Sequence, residues 1–505
     1  MDLLKKNMTA NFAGSFWQAL MAFIFIPLYI KFVGIESWGL IGIFVTLQAM
    51  SSILDLGMSN TLNREMARLS ALKDRQQEMR NLVRTLEMLY WGIAALVGIA
   101  IVSLSPFIAH HWIKANQLSP KAVEQAFLLM GIAIALQMPV GFYSGGLIGL
   151  QRQVLLNAIN IAANTLRGIG VVLLLWLVSP TIQAYFLWQI AVSIINILLL
   201  AMFLKRRLLF AGNTTVFQKQ LLKGVWRFAA GMSAISVLAV ILTQMDKIIL
   251  SRMLSLEMFG YYTLASSVAM ALAFVFTPVF SAVYPMFTQS VSADDQEGLK
   301  RLYHKSCQFM SVLVLPVAIV TALFSYEIIL LWTQKPVIAE KSHLLVSILI
   351  CGTAINGVMN LPYALQLAFG WTKLSFFKST IAVILLVPLI IYMAMRYGAV
   401  GAASVWLVLN MGMFFFEIPI MHRRILRKEK WRWYLQDVCL PLAVCVLVAG
   451  LGRIFINGPM SQLMMLLNLI IISALTLGTV SFITPVTRTW LIMQLSKIKF
   501  VFATK

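Results

Sequence analysis

The sequence is poor in charge and poorest in acid: only 11% of its 505 residues are charged, and 18 acidic residues stand against 40 basic ones. A soluble domain carries about 25% charged residues, so this chain has too little polar surface to be one. Its four cysteines, Cys307, Cys351, Cys439 and Cys445, form no CxxC pair and fall in or near apolar runs. That excludes a disulfide framework and a thiolate zinc site, and leaves buried thiols as the expectation. Histidine is equally scarce; the adjacent His110 and His111 have no carboxylate at metal-ligand spacing and are expected in an exposed interfacial loop. Phosphate-binding GxxxxGK[ST], HExxH and GxSxG motifs are missing, which removes ATP hydrolysis, zinc-protease and serine-hydrolase chemistry. Neither catalytic groups nor a cofactor is expected. The alternating strands of a membrane barrel are missing as well. No small-residue cleavage site accompanies the first apolar run, from Phe12, so it is expected to stay as a membrane helix.

What the chain does have is apolar residues: 60% are hydrophobic and the mean hydropathy is +0.86. It is an integral membrane protein by composition. A hydrocarbon core of about 30 Å needs roughly 20 apolar residues per helix. Fourteen such runs can be placed, at approximately 12–33, 38–59, 86–109, 125–149, 154–178, 181–204, 228–251, 261–287, 307–332, 343–368, 372–395, 399–421, 436–457 and 462–484. With both termini in the cytoplasm, most basic residues fall on cytoplasmic loops, the positive-inside asymmetry of a multi-pass inner-membrane protein. "NREMARLSALKDRQQEMRNLVR", "KRRLLFAGNTTVFQKQLLKGVWR" and "HRRILRKEKWRW" are the main clusters. Short segments tethered at the bilayer face anionic lipid headgroups rather than nucleic acid. "ADDQEG" at 293–298 reads as a solvated turn.

An internal repeat is visible at an offset of 221 residues. "GIESWGLIGIF" at 34–44 aligns with "SLEMFGYYTLA" at 255–265, matching Glu36 to Glu257 and Gly39 to Gly260. The same register matches Lys31 to Arg252, Gly149 to Gly370 and Arg152 to Lys373. An even number of helices separates the equivalents, so the repeats have parallel topology. The expected organisation is an N lobe (1–204, helices 1 to 6), a basic cytoplasmic linker (205–227), a C lobe (228–421, helices 7 to 12) and an appendage with helices 13 and 14 and a cytoplasmic tail (422–505). The fold class is therefore an all-α polytopic membrane protein.

The stretches "PLYIKFVGIESWGLIGIFVTLQAMSSILDLGMSNTLNREMARL" at 27–69 and "QMDKIILSRMLSLEMFGYYTLA" at 244–265 resemble the polysaccharide transporter family, the Wzx-type flippases of lipid-linked oligosaccharides. Its superfamily also holds lipid II flippases and multidrug and toxin extrusion exporters. The resemblance implies two six-helix lobes in a V shape whose cavity opens alternately to each face, with a polyprenyl-pyrophosphate-linked glycan as cargo. It also implies polysaccharide assembly proteins as partners. The function expected is translocation of undecaprenyl-linked repeat units for O-antigen, capsule or exopolysaccharide. A cation-coupled drug exporter, a lipid II flippase and a membrane glycan polymerase or ligase are the alternatives; a polymerase or ligase needs a large outer loop that this chain lacks.

The residues that stand out for such a task are polar groups inside apolar runs. In helix 5, Asn157, Asn160, Asn164 and Arg167 are spaced 3, 4 and 3, so they form one stripe within an arc of roughly 80°. Arg167 lies about 22 Å along the axis from Arg152, beyond the bilayer midplane. A charge at that depth costs at least about 2.5 to 3.5 kcal/mol and is expected to face a wet cavity or a buried partner. Two readings stand: Arg167 draws an anionic pyrophosphate or acidic sugar while the asparagines meet hydroxyls, or the stripe makes interhelical bonds. In helix 7, Asp246 and Lys247 diverge by about 100°. Either Asp246 binds a coupling proton or sodium ion or positions a cationic partner, or the residues form an interfacial ion pair or Lys247 snorkels. Asp55, Glu327 and Glu417, near helix ends, are gate candidates or loop partners. Lys378, the counterpart of Asn157, joins Lys373 as a possible phosphate receiver, and Asn356 and Asn360 share a face at i, i+4. Pro388 stands at the counterpart of Arg167, so the lobes carry unlike sites.

Overall fold

The computed structural model describes residues 2–55, 57–70, 72, 75–206, 208, 237–238, 240–455 and 460–488. Their regular structure is helical apart from one β-bridge between Lys114 and Ser255. In chain order the helices are α1 (Asp2–Ser51), α2 (Met58–Ser70), α3 (Gln76–Phe107), α4 (Pro120–Gly149), α5 (Gln153–Leu177), α6 (Ile182–Arg206), α7 (240–253), α8 (Leu256–Met270) and α9 (Ala273–Ser292). There follow α10 (Gln296–Leu323), α11 (Ser325–Thr333), α12 (Pro336–Ala368), α13 (Thr372–Arg424), the single turn α14 (Lys430–Arg432), α15 (Leu440–Phe455) and α16 (Gln462–Ile483).

Eleven helical runs among the described residues are long and apolar enough to cross a bilayer, against fourteen expected, and the expected span at 228–251 lies partly outside the described residues. Two of them break where the hydropathy pattern separates spans. Gly34 (φ 81°) divides α1 and Gly398 (φ 59°) divides α13, a backbone state that a residue without Cβ reaches cheaply. Other boundaries differ from the apolar runs because helices continue past them into polar sequence. α10 begins at Gln296, where Asp295 accepts from the Gly298 N–H at 2.8 Å, so the "ADDQEG" turn is the cap of that helix. It ends at Leu323, and α11 completes the run expected as one span at 307–332. Likewise the run at 261–287 is split between α8 and α9. Ser119 and Pro120 start α4, the serine oxygen accepting from Ala122, and Ser461 caps α16 in the same way. Apart from Lys205, Arg206 and Leu208, the linker 205–227 lies outside the described residues, as do 489–505 of the tail.

The chain forms two compact units, Met1–Thr263 and Leu264–Lys505. In the first, α4 packs against α2, α3 and α6, and α5 lies between α1 and α6. Leu62, Met66, Leu86, Phe142, Leu147, Leu200 and Leu204 form its core. Glu36, just past the α1 break, accepts from the backbone N–H groups of Asn116, Gln117 and Leu118 at 2.6, 2.8 and 2.9 Å, so a buried carboxylate holds the α3–α4 loop. The repeat partners Gly39 and Gly260 pack on each other: a Cβ on Gly260 would lie 2.2 Å from the Ile35 carbonyl, and one on Gly39 2.6 Å from that of Leu256. Small residues permit this backbone approach between membrane helices. The 221-residue register recurs to within two residues in two pairs of helix starts, Gln76 with Gln296 and Gln153 with Thr372.

In the second unit α12 packs against α9, α10, α11 and α13, while α15 and α16 pack on each other and on α10. Cys307 and Cys445 are buried and Cys351 is half-buried, but Cys439 is exposed, contrary to the expectation of four buried thiols. Its π-helical turn, Trp433–Cys439, directs Trp433, Asp437 and Val438 inward and leaves Cys439 on the other face. His110 is also less isolated than expected, lying 3.9 Å from Glu124.

Candidate functional site

The polar stripe of α5 meets two different fates. At its lower end Asn157 donates to Asn11 of α1 at 2.6 Å and to the Gln153 carbonyl at 2.8 Å, and Asn11 donates to the Gln153 side chain at 2.8 Å. Gly14 of α1 makes room for this, since a Cβ there would meet the Asn157 oxygen at 2.3 Å. Trp17 and Thr165 add a bond at 2.8 Å between the same helices. Asn157 thus follows the interhelical reading. Asn160 and Asn164 are half-buried and make no side-chain hydrogen bond among the described residues. At the upper end the Arg167 Nη2 reaches Ser193 Oγ of α6 at 3.3 Å, while its Nε is buried without a partner. No carboxylate among the described residues lies within ion-pair distance of it. Ser193 has already given its proton to the Gln189 carbonyl at 2.6 Å, so it can only accept from the guanidinium. Tyr185 of α6 is the electrostatic neighbour of Arg167 and meets Tyr29 of α1 edge-on at 5.5 Å. A guanidinium with unused donors can take an anionic group bidentately.

Asp246 and Lys247 do not pair with each other. Asp246 Oδ2 accepts from the Tyr262 hydroxyl at 2.6 Å and Oδ1 is buried and unpartnered, whereas Lys247 contacts Gln244 at 3.4 Å. Asp55 is a local cap, accepting from the Ser59 hydroxyl at 2.6 Å and its N–H at 3.3 Å. Gln48 and Gln137 bond to each other.

In the second unit two candidates from separate classes come together. The Lys378 ammonium sits 2.7 Å from each Glu417 oxygen, and Gln366 donates to the same carboxylate at 2.9 Å. Asn356 donates to Asn410 of α13 at 3.2 Å, a contact between helices, whereas Asn360 donates to the Asn356 carbonyl of its own helix at 2.8 Å. Glu327 of α11 forms an ion pair with Arg453 of α15.

Three clusters escaped the sequence reading. Glu87 is buried between the Tyr143 hydroxyl at 2.5 Å and Lys205 at 2.7 Å. Glu36 was visible only as a repeat marker. Most elaborate is His304, whose Nδ1 faces Asp437 at 2.5 Å and Nε2 faces Glu429 at 3.0 Å, with Gln308 donating to Asp437 at 2.9 Å and Lys300 2.7 Å from Glu429. The two carboxylates flank opposite nitrogens of one ring, so they cannot converge on one metal ion; the cluster ties α10 to the segment before α15. Titratable residues inside or beside apolar runs were the available signal, but their partners lie 56 to 133 residues away along the chain.

Comparison with known proteins follows the same lines. A family model described as "Polysaccharide biosynthesis protein" matches residues 4–291, more than half of the chain, and the MatE model matches residues 232–393. A Shigella flexneri protein described as "Putative O-antigen transporter" is 22% identical over 402 residues, covering 79% of this chain and 93% of its own. Among solved structures, the lipid II flippase MurJ in an inward closed conformation superposes with a TM-score of 0.66 at 13% identity, over 94% of this chain and 98% of that one. An inward-facing multidrug resistance MATE family transporter of the MOP superfamily superposes at 0.62 and 13% identity, over 81% and 96%. These structures establish a shared fold.

Proposed function

Because the chain belongs to the polysaccharide biosynthesis protein family, we propose that it is a flippase moving undecaprenyl-pyrophosphate-linked oligosaccharide repeat units from the cytoplasmic to the outer leaflet of the bacterial inner membrane. The single observation that carries this reading is Arg167, a half-buried residue whose guanidinium has, among the described residues, an unpartnered Nε and no acid beside it, one turn above Asn164, which is likewise without a partner among them. A charge that balances an internal acid would be found paired; this one is left with donors to spare. A pyrophosphate entering the membrane loses water and regains donors from Arg167, while Asn160 and Asn164 present amides to sugar hydroxyls. The lipid tail stays in the bilayer, alternating access exposes the glycan outside, and no covalent chemistry takes place. The similarity to an O-antigen transporter supports the cargo class. Asp246, with its buried and unpartnered Oδ1, is the group we assign to a coupling proton or sodium ion.

The test is to deplete the protein in cells and quantify polyprenyl-linked glycans by mass spectrometry with a leaflet-accessibility probe. Complete repeat units accumulating on the cytoplasmic face, cleared by the wild-type protein and not by Arg167→Ala at equal abundance, is the expected result. Accumulation on the outer face only, or none, would replace the flippase by a later assembly step or a drug exporter.

A further inference from the structure

The two arms of α13 run from Thr372 to Arg424 around the Gly398 break. Lys378 precedes that break by 20 residues and Glu417 follows it by 19. At 1.5 Å per residue both lie about 30 Å from the turn, at the open end of a helical hairpin as long as the hydrocarbon core is thick. The basic segment Arg423, Arg424, Arg427, Lys428, Lys430 and Arg432 comes immediately after that end. By the positive-inside asymmetry this places the pair at the cytoplasmic headgroup level, where a lipid-linked cargo has its phosphate groups.

The pair is not built symmetrically. Lys378 Nζ lies 2.7 Å from both Glu417 oxygens, so it straddles the carboxylate as it would straddle two oxygens of a phosphate. Glu417 is enclosed, its side chain 4% exposed and further held by Gln366 of α12, while the Lys378 side chain is 23% exposed and lies 5.3 Å from the Tyr363 ring centre. The acid is fixed and its cation is open on one side. In the first unit the counterpart position carries Asn157, bound into an amide network with α1, so at this position of the repeat only the second half carries a cation.

From this we infer that Glu417 is an internal stand-in for the phosphate of the cargo: it occupies Lys378 while the protein is unloaded and is exchanged for a phosphate or pyrophosphate oxygen pair on loading. The inference rests on the flippase reading. Exchange trades one anion for another on the same ammonium, so the lysine is never left unpaired at the membrane edge. It also frees the two arms of α13 from each other when, and only when, an anion has arrived. The apparent affinity for cargo is lowered by the fraction of protein in which Glu417 holds the site.

The experiment is equilibrium binding of farnesyl pyrophosphate to the purified full-length protein in lipid nanodiscs, with farnesol and inorganic pyrophosphate as controls. Glu417→Gln keeps the shape of the side chain and removes its charge, so it is expected to bind farnesyl pyrophosphate about tenfold more tightly than wild type. Lys378→Gln is expected to bind about tenfold more weakly, and the double variant to match Lys378→Gln. Glu417→Asp, which retracts the carboxylate by one methylene, is expected to tighten binding severalfold and serves if the glutamine variant does not fold. A tightening seen equally with inorganic pyrophosphate but not with farnesol still supports the exchange, with the headgroup alone as its trigger. Folded Glu417 variants that bind no more tightly than wild type overturn the exchange and leave the flippase reading standing. Absence of farnesyl pyrophosphate binding by wild type and variants alike overturns both.

Discussion

Replacement of Arg167 by methionine separates a functional arginine from a structural one. A charged residue deep in a membrane helix costs about 2.5 to 3.5 kcal/mol. Against this Arg167 has one long hydrogen bond, to Ser193 Oγ at 3.3 Å, and an unpartnered Nε; a bond of that kind returns about 0.5 to 1.5 kcal/mol. The balance is about 1 to 3 kcal/mol against the native side chain, since methionine fills a similar length without charge. The substitution orphans nothing, because the Ser193 hydroxyl keeps its bond to the Gln189 carbonyl and no carboxylate loses a partner. Arg167→Met is therefore expected to be about 1 to 3 kcal/mol more stable than wild type in denaturant unfolding of the detergent-solubilised protein. In cells it is expected to export little or no surface glycan at equal abundance. A native residue kept at a cost in stability is what a binding group shows. A variant that is markedly less stable, or one that exports normally, would refute the reasoning, because either would mean that Arg167 is held by contacts other than those described.

Other perturbations test the frame around that site. Gly260→Ala places a Cβ 2.2 Å from the Ile35 carbonyl, and backbone cannot swing aside as a side chain can; a loss of about 1 to 3 kcal/mol is expected in thermal unfolding, and an unchanged midpoint would mean that the helices are farther apart than described. Glu36→Ala removes the acceptor of three backbone N–H groups, each bond to a charged acceptor being worth about 1.5 to 3 kcal/mol. A cysteine at Asn116 is expected to become readily modified by a thiol reagent in that background, and equal protection in both proteins would exclude the role. Glu429 gives a pH dependence: burial pushes its carboxyl up, but hydrogen bonds from Lys300 and His304 outweigh this and hold it below the ordinary glutamate range. A carboxylate depressed in the folded state contributes stability above its unfolded value, near 4.3, and loses it as pH falls through the folded one. The stability difference between wild type and Glu429→Gln is thus expected to be flat above about pH 5.5 and to shrink below about pH 4; a difference that does not change in acid would detach Glu429 from the ion pair.

The parts of this protein that are legible in its sequence are those set by neighbours along the chain. The α1 and α13 breaks fall where apolar runs meet Gly34 and Gly398, since a membrane helix must satisfy its backbone internally and yields only where a residue without Cβ permits it. The α5 stripe is equally local, because 3, 4, 3 spacing fixes a common face whatever surrounds it. Helix ends were less legible: α10 starts at Gln296, well before its apolar stretch, because a cap and a polar first turns suffice to extend a helix into water.

Composition and periodicity by themselves determined that the chain is a bundle of membrane helices with a repeat and with polar groups at depth, because burial in hydrocarbon acts on each residue singly. Which polar groups are spent on one another was decided only by tertiary packing. Nothing local joins Lys378 to Glu417, His304 to Asp437 or Glu327 to Arg453. Nor does anything local tell Asn157, bound to Asn11, from Arg167, left with a donor unused. A hydrogen bond needs its partner within about 3 Å, and only tertiary packing, between separate helices or between the two arms of α13, brings partners that close.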